Sequence, residues 1–353
     1  MIPPFKHEGL PSRVIFGAGS LAQAGVEARA LGGRALVLST REQKDQGQAL
    51  AEQLGALAVG VFSEAAMHTP VDVTERAMAV VAKLKADMVV SIGGGSTIGL
   101  GKAIALRTDL PQLAIPTTYA GSEMTPIIGQ TEGGVKTTQR TLKVLPETVI
   151  YDSELTFSLP PKASGASGLN AVAHAVEALY SKDGNPIVSI FAEEGTRALA
   201  NALPQISVNP RDADARSAAF FGSWLCANCL ALAGMALHHK LCHTLGGTFD
   251  LPHAETHAIV LPHALSYNAP AAPAAITALT RALGSRDPAR RLWEIVGEVG
   301  APLGLREIGM PKHGIARAAD LAVEKPYWNP RPIERDAIAA LIGRAWAGDP
   351  PSP

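Results

Sequence analysis

The sequence predicts an α/β domain over residues 1–160 followed by an all-α domain over residues 161–353. From Arg13 to Tyr151, short β-branched runs alternate with amphipathic stretches, the pattern of a parallel sheet with helices on both faces. After Leu159-Pro160-Pro161 those runs vanish, and Ala, Leu and Glu dominate long segments of helical period. A chain of 353 residues also exceeds the usual size of one domain, so two cores are expected.

In chain order, an early strand from Arg13 ends at Gly17-Ala18-Gly19. Further strands are predicted at Arg34–Ser39, Leu57–Phe62, Asp87–Gly93, Gln112–Thr117 and Thr148–Asp152, with helices around Gln43–Leu54, Val71–Leu84 and Thr97–Arg107. The segment Gln130–Lys143, rich in Thr, Gly and Lys, reads as a hairpin inserted before the last strand. In the second half, capping residues and apolar periodicity predict helices at Ala166–Tyr180, Pro186–Ala202, Asp212–His238, Pro270–Leu283, Pro288–Val299, Gly314–Val323 and Ile333–Trp346.

Composition narrows the function classes. Hydrophobic residues make up 47% and charged residues 18%, which describes a well-packed globule. The net charge is -1 and no Lys/Arg cluster forms a run, so no nucleic-acid partner is expected. The most apolar run, Trp224–Leu237, falls short of the about 20 residues a bilayer requires and contains Asn228, so no membrane partner is expected either. The start, MIPPFKHEGLPSR, lacks the apolar core of a secretory signal. With three cysteines, an odd number, this points to a reducing, cytoplasmic setting. Cys226 and Cys229 form a single CxxC without a second pair, and read as small residues on a buried helix.

The first chemical signal is VVSIGGGSTIGLGKAIA, which puts Gly93, Gly94, Gly95 and Ser96 at a strand-to-helix joint. Glycines there leave backbone N–H groups and the positive helix end free to meet a pyrophosphate, as in a Rossmann-like nucleotide-binding domain. Gly17-Ala18-Gly19 is weaker, because Ala22 stands where a helix-packing glycine is expected. In PTTYAGSE and the following residues, Thr117, Thr118, Ser122 and Thr125 would project at the carboxyl edge of the sheet, where such folds bind ligands. The strand ending in Ser39-Thr40-Arg41 has no carboxylate for an adenine ribose, so Ser39 is the candidate contact and NADPH is expected beside NADH. Lys102 and Lys136 are candidates for cofactor phosphates.

The second signal is HKLCHTLGGTFDLPH. His239 and His243 sit four apart on one helical face, and a turn at Gly246-Gly247 would return His253 toward them. Asn170 and His174 repeat the spacing of four on a separate helix. Cys242 lies one residue, about 100°, from His243 and so points elsewhere.

With GGGS, PTTYAGSE and the Asn170/His174/His239/His243/His253 set in this order, the chain resembles the iron-containing alcohol dehydrogenase superfamily over nearly its whole length. That resemblance implies the dehydroquinate synthase-like fold, with an NAD(P)-binding domain followed by a helical catalytic domain. It also implies a divalent metal held by one Asp and three His, which fall here on Asn170, His174, His239 and His253. An amide in place of the carboxylate removes the anion that would balance a dication, so the expectation is that no metal is required, with His174, His239 and His253 as the residual metal candidates. Gly99 is a second departure, since many members place an Asp there.

The segments AAMHTPVDV, GLNAVAHAVEALYS, HHKLCHTLGGTFDLPHAETHAIVLPH and PYWNPRPI are similar to one branch, whose members reduce the C=C bond of an unsaturated oxo-dicarboxylate with NADH or NADPH. For that reaction His243, a fourth histidine beyond the implied ligand set and on the stripe of His239, is the expected general acid, with Tyr327 as its partner or second donor, and Asn170, His174, His239, His253, His68 and Thr69 are the expected substrate lining. Lys240, Lys325 and Arg331 are further candidates for the carboxylates, and His257 is close enough in sequence to approach the same site. A small dicarboxylate and a second copy of the chain are the implied partners. The alternative within the superfamily is a metal-dependent alcohol or polyol dehydrogenase.

Overall fold

The computed structural model describes residues 4–133, 135–325 and 327–352, apart from the side chains of Val135 and Lys136. The chain divides into two compact units, Gly9–Ser158 and Leu159–Pro353, and the segment up to Glu8 groups with the second unit, not with the first as its sequence position suggested. One tie of that segment is Asn185, whose Nδ2 donates to the Lys6 carbonyl at 3.4 Å.

The first unit is built on β1 (Arg13–Phe16), β2 (Ala35–Leu38), β3 (Ala58–Phe62), β4 (Met88–Gly93), β5 (Gln112–Pro116) and β8 (Thr148–Tyr151), in the order β1-β8-β5-β4-β2-β3. Every pairing is parallel. The hairpin expected before the last strand is β6 (Ile127–Glu132) and β7 (Val135–Arg140), paired antiparallel.

Alternation along the strands explains the two apolar layers. Ala35 and Val37 of β2 with Met88, Val90 and Ile92 of β4 face α1 (Ala24–Leu31) and α2 (Lys44–Leu54). Leu36, Leu38 and Val89 face α3 (Val71–Leu84) and α4 (Gly95–Thr108) on the other side. The chain runs outward from β2 to β3 on one side and from β4 through β5 to β8 on the other. The strand order therefore reverses between β2 and β4, and the carboxyl ends of those strands are where a doubly wound sheet places its ligand. Sequence periodicity missed α1, a short helix with few large apolar residues.

The second unit contains α5 (Pro161–Tyr180), α6 (Pro186–Val208), α7 (Ala213–Leu232), α8 (Leu237–Phe249), α9 (His253–Asn268), α10 (Pro273–Leu283), α11 (Pro288–Glu298), α12 (Gly314–Glu324) and α13 (Arg335–Ala347). Helix α6 starts where Asn185 Oδ1 accepts from the N–H groups of Ile187 and Val188 at 3.0 and 3.1 Å. It continues past Pro204 to Val208.

Three helix expectations are corrected around the histidines. The single helix expected over Asp212–His238 is two, α7 and α8, which meet at 94°. The break expected at Gly246-Gly247 is absent, and α8 runs through both glycines to Phe249 before turning at Asp250, whose φ is 52°. Each glycine costs a helix only about 1 kcal/mol, and packing outweighs it: Leu245 is fully buried and Phe249 packs into the same core. Finally, His253 does not lie on a returning loop but opens α9, which sequence reading did not separate. Among the described residues no single helix is long and apolar enough to cross a membrane.

Candidate active site

At the end of β4, Gly93 has φ 153°, and a Cβ there would lie 2.4 Å from Thr97 Oγ1 and 2.7 Å from Gln43 Oε1. Gly94 caps α4, and its Cβ would meet Thr118 Cγ2 at 3.0 Å. The first N–H groups of α4 thus open onto a turn without side chains, which suits the pyrophosphate of a dinucleotide. The neighbouring turn is tied to it, because the Thr117 N–H donates to the Gly93 carbonyl at 3.1 Å. Gln43 Nε2 donates to Thr117 Oγ1 at 2.9 Å. Gln43 was not picked out from sequence, where a polar residue opening a helix carries no distinct signal. Replacing Gly93 by Ala is expected to raise the NADH dissociation constant at least about tenfold, since the strained backbone and the close contact with Thr97 each cost about 1–3 kcal/mol. Titration by nicotinamide fluorescence reads this directly, and an unchanged constant would remove the turn from the cofactor site.

Not every predicted cofactor hydroxyl faces that turn. Ser39 is fully buried, and its Oγ donates to Ser63 Oγ at 2.9 Å beneath Gly47. Thr125 is buried too, and its hydroxyl is engaged by Lys102 Nζ at 2.9 Å and by the Ser122 carbonyl at 3.1 Å. Lys102 is likewise internal and not a phosphate ligand, with burial pushing its pKa down to about 7 against the pull of Glu123. The Lys136 side chain lies outside the described residues. His68 and Thr69 belong to the sheet unit and are consecutive left-handed residues, with φ 64° and 48°. That conformation costs a β-branched residue about 1–3 kcal/mol. The Thr69 carbonyl accepts from Thr131 at 3.3 Å, and its Oγ1 fills the space beside Gly99, where a Cβ would approach to 2.4 Å.

In the helical unit, the structure gathers the predicted imidazoles. The rings of His174 on α5 and His239 on α8 lie 5.2 Å apart, His239 and His257 4.9 Å, His253 and His257 on α9 4.2 Å, and His239 and His243 6.1 Å. His174 and His239 are buried, whereas His243 and His253 are exposed. Burial, then the neighbouring His239 and His253, hold His174 well below the ordinary imidazole range. His238 and His257 are likewise held low, chiefly by burial. These three rings are neutral and cannot act as imidazolium donors.

The organising residue is Glu177, which sequence reading did not select. It stands three residues after His174 and seven after Asn170, on the same face of α5. Fully buried, its carboxylate accepts from the N–H of Ala236 at 3.1 Å and of His238 at 2.8 Å, where α8 begins. The same carboxylate meets His239 Nδ1 at 2.6 Å. A carboxylate only accepts, so Nδ1 carries the proton and Nε2 is the nitrogen left for a ligand. The break between α7 and α8 therefore has a local cause, since a buried acid takes up the amides that a continuous helix would have bonded internally.

Tyr327 is half-buried against the helical core, with Lys240 Nζ 5.7 Å from its ring centre. Burial, then Glu177 and Tyr267, raise its pKa, so it stays a phenol able to donate. Arg331 Nη1 donates to the Tyr267 carbonyl at 2.8 Å, and its guanidinium stacks 4.2 Å from that ring.

The fourth position of the expected metal set, Asn170, has a buried Oδ1 without a hydrogen-bond partner among the described residues. It is an uncharged donor, and the carboxylate of this cluster, Glu177, is occupied by two amides and an imidazole. Asn170, His174, His239 and His253 thus present no anion to a dication and do not fit a tightly held metal. A second group, His238 Nε2, Cys242 Sγ and His257 Nδ1, lies within 4.8 Å and is wholly buried. Its imidazoles bond each other at 3.0 Å, and burial, then Glu177, raise the Cys242 pKa, so it is a hydrogen-bonded tie between α8 and α9.

The sequence matches the model of the iron-containing alcohol dehydrogenases over residues 11–153 and that of the C-terminal part of the Fe-containing alcohol dehydrogenase family over residues 164–346. It is 58% identical over 347 residues to a maleylacetate reductase of Sphingobium indicum, covering 98% of this chain and 99% of that one. The solved maleylacetate reductase of Rhizobium sp. strain MTP-10005 superposes with a TM-score of 0.95 at 54% identity, covering 99% of both chains. A solved 1,3-propanediol oxidoreductase superposes with a TM-score of 0.88 at 25% identity, covering 98% of this chain and all of the other. The chain belongs to the iron-containing alcohol dehydrogenase family.

Proposed function

We propose that the protein is an NAD(P)H-dependent maleylacetate reductase, which reduces the C=C bond of maleylacetate and of substituted maleylacetates to 3-oxoadipates in the breakdown of aromatic compounds. The single observation that carries the reading is the full-length identity to maleylacetate reductases. The side-chain-free turn at Gly93-Gly94 supports a dinucleotide, and Ser39-Thr40-Arg41 without a carboxylate supports use of both NADH and NADPH.

When bound, the reduced nicotinamide supplies hydride to the carbon β to the ketone. The residues of the chain then handle charge and protons. His243, exposed and able to exchange with water, protonates the α carbon, and the Tyr327 phenol donates to the ketone oxygen as charge accumulates there. His239, fixed by Glu177, with Asn170, His174 and His253, orients the keto and carboxylate groups. His68 and Thr69 are proposed to meet a carboxylate. An alcohol must have its C–O bond polarised, commonly by a metal. A conjugated ketone can be activated by proton donors instead, which agrees with a set lacking an anionic ligand.

Three free cysteines support a cytoplasmic setting, and β1, with one edge unpaired in the sheet, supports a homodimer that covers it. The test is a spectrophotometric comparison of NADH and NADPH oxidation with maleylacetate against NAD⁺ reduction with simple alcohols, before and after chelation. Oxidation with maleylacetate that survives chelation is expected. Alcohol-dependent activity lost on chelation and restored by Zn²⁺ or Fe²⁺ would make the protein a metal-dependent dehydrogenase.

A further inference from the structure

The turn after β5 is held from within by a charge belonging to the chain. Lys102 on α4 is fully buried, and its Nζ donates to the Ser122 carbonyl, to Ser122 Oγ at 3.3 Å, to Thr125 O at 2.8 Å, to Thr125 Oγ1 at 2.9 Å and to Ile127 O at 2.9 Å. An ammonium has three protons, so five oxygens must share them. Burial works against the charge, but a neutral amine would turn a lone pair toward some of these oxygens, so the shell of acceptors favours the cation. Three carbonyls and two hydroxyls converging on one point also make the kind of oxygen shell that replaces water around a monovalent ion. Glu123, with Tyr151 donating to its carboxylate at 2.7 Å, is the acidic neighbour.

We propose that Lys102 is a positioning residue for the cofactor: a built-in monovalent cation that folds Ser122–Ile127 and so sets Thr117, Thr118 and Ser122 against the glycine turn. Shortening the lysine leaves its oxygen shell without a centre, and a free ammonium or potassium ion then takes its place. The inference rests on the reading that this turn binds a nicotinamide dinucleotide.

The experiment uses the full chain with Lys102→Ala and measures the NADH dissociation constant by fluorescence in choline, potassium, ammonium or methylammonium chloride at equal ionic strength. In choline the constant should rise at least about tenfold over wild type, because hydrogen bonds to a charged group are removed. Ammonium or methylammonium should recover most of that loss, since they fit the vacated space and choline does not. Wild-type affinity in choline, or a loss that no small cation restores, overturns the proposal. If the alanine variant does not fold, Thr125→Val, which deletes one shell oxygen, is measured beside Thr125→Ser. Weakened binding in the first with recovery in the second supports the proposal, and unchanged binding in the first overturns it. A wild-type protein that itself fails to bind NADH would instead sink the cofactor reading.

Discussion

Replacing His243 by Ala is expected to lower kcat with maleylacetate by about 10²–10⁴-fold, the usual share of a positioned acid, while NADH affinity stays within about twofold. The imidazoles differ in what protonation they can reach. His174, His238 and His257 are buried and held neutral, so a proton cannot be stored on them at working pH. His243 faces water, and its ring stands edge-on to His239 at 6.1 Å. Steady-state kinetics on the variant, with NADH binding measured separately, checks the claim. Turnover close to wild type would transfer the proton to Tyr327, and Tyr327→Phe would then carry the large loss.

Much of this arrangement was legible in the sequence, for reasons that differ by element. The inner strands β2, β4, β5 and β8 were readable because they are buried along their whole length, which forces a continuous apolar run such as Val89-Val90 into the sequence. The glycine turn was readable because a positive φ and the Thr97 side chain pressed against it disfavour every other residue type at Gly93. Spacing of four placed His239 beside His243 and Asn170 on the face of His174, and tertiary structure then brought both pairs together. Glu177 was hidden for a physical reason. Two of its three partners are backbone amides about 60 positions away, which carry no identity in a sequence, and only its spacing from His174 hinted at a role. Ser39 and Thr125 show the converse, since hydroxyls at strand ends look alike whether they face a ligand or, as these do, an internal partner.

Glu177→Ala is expected to cost about 3–5 kcal/mol of stability, because removing one partner of a buried charged network leaves the others unpaired in a low dielectric. Three donors lose their acceptor at once: the N–H groups of Ala236 and His238 that begin α8, and Nδ1 of His239. None can turn to solvent, since Ala236, His238 and His239 are all buried. The melting temperature should fall by on the order of 10 °C. The exposed pair Arg335–Asp320 supplies the control, and Asp320→Ala should leave the melting temperature nearly unchanged. Glu177→Gln separates folding from catalysis. Its amide oxygen can still accept from one backbone N–H, but its NH₂ then faces another donor, and His239 is released from the tautomer that leaves Nε2 bare. That variant should fold with a smaller loss of stability and still show at least about a tenfold fall in kcat/KM for maleylacetate, as seen when partners that orient imidazoles are removed. Were Glu177→Ala to melt with the wild type, the carboxylate could not be what starts α8. Were Glu177→Gln to keep full activity, the orientation of His239 would not matter to the reaction.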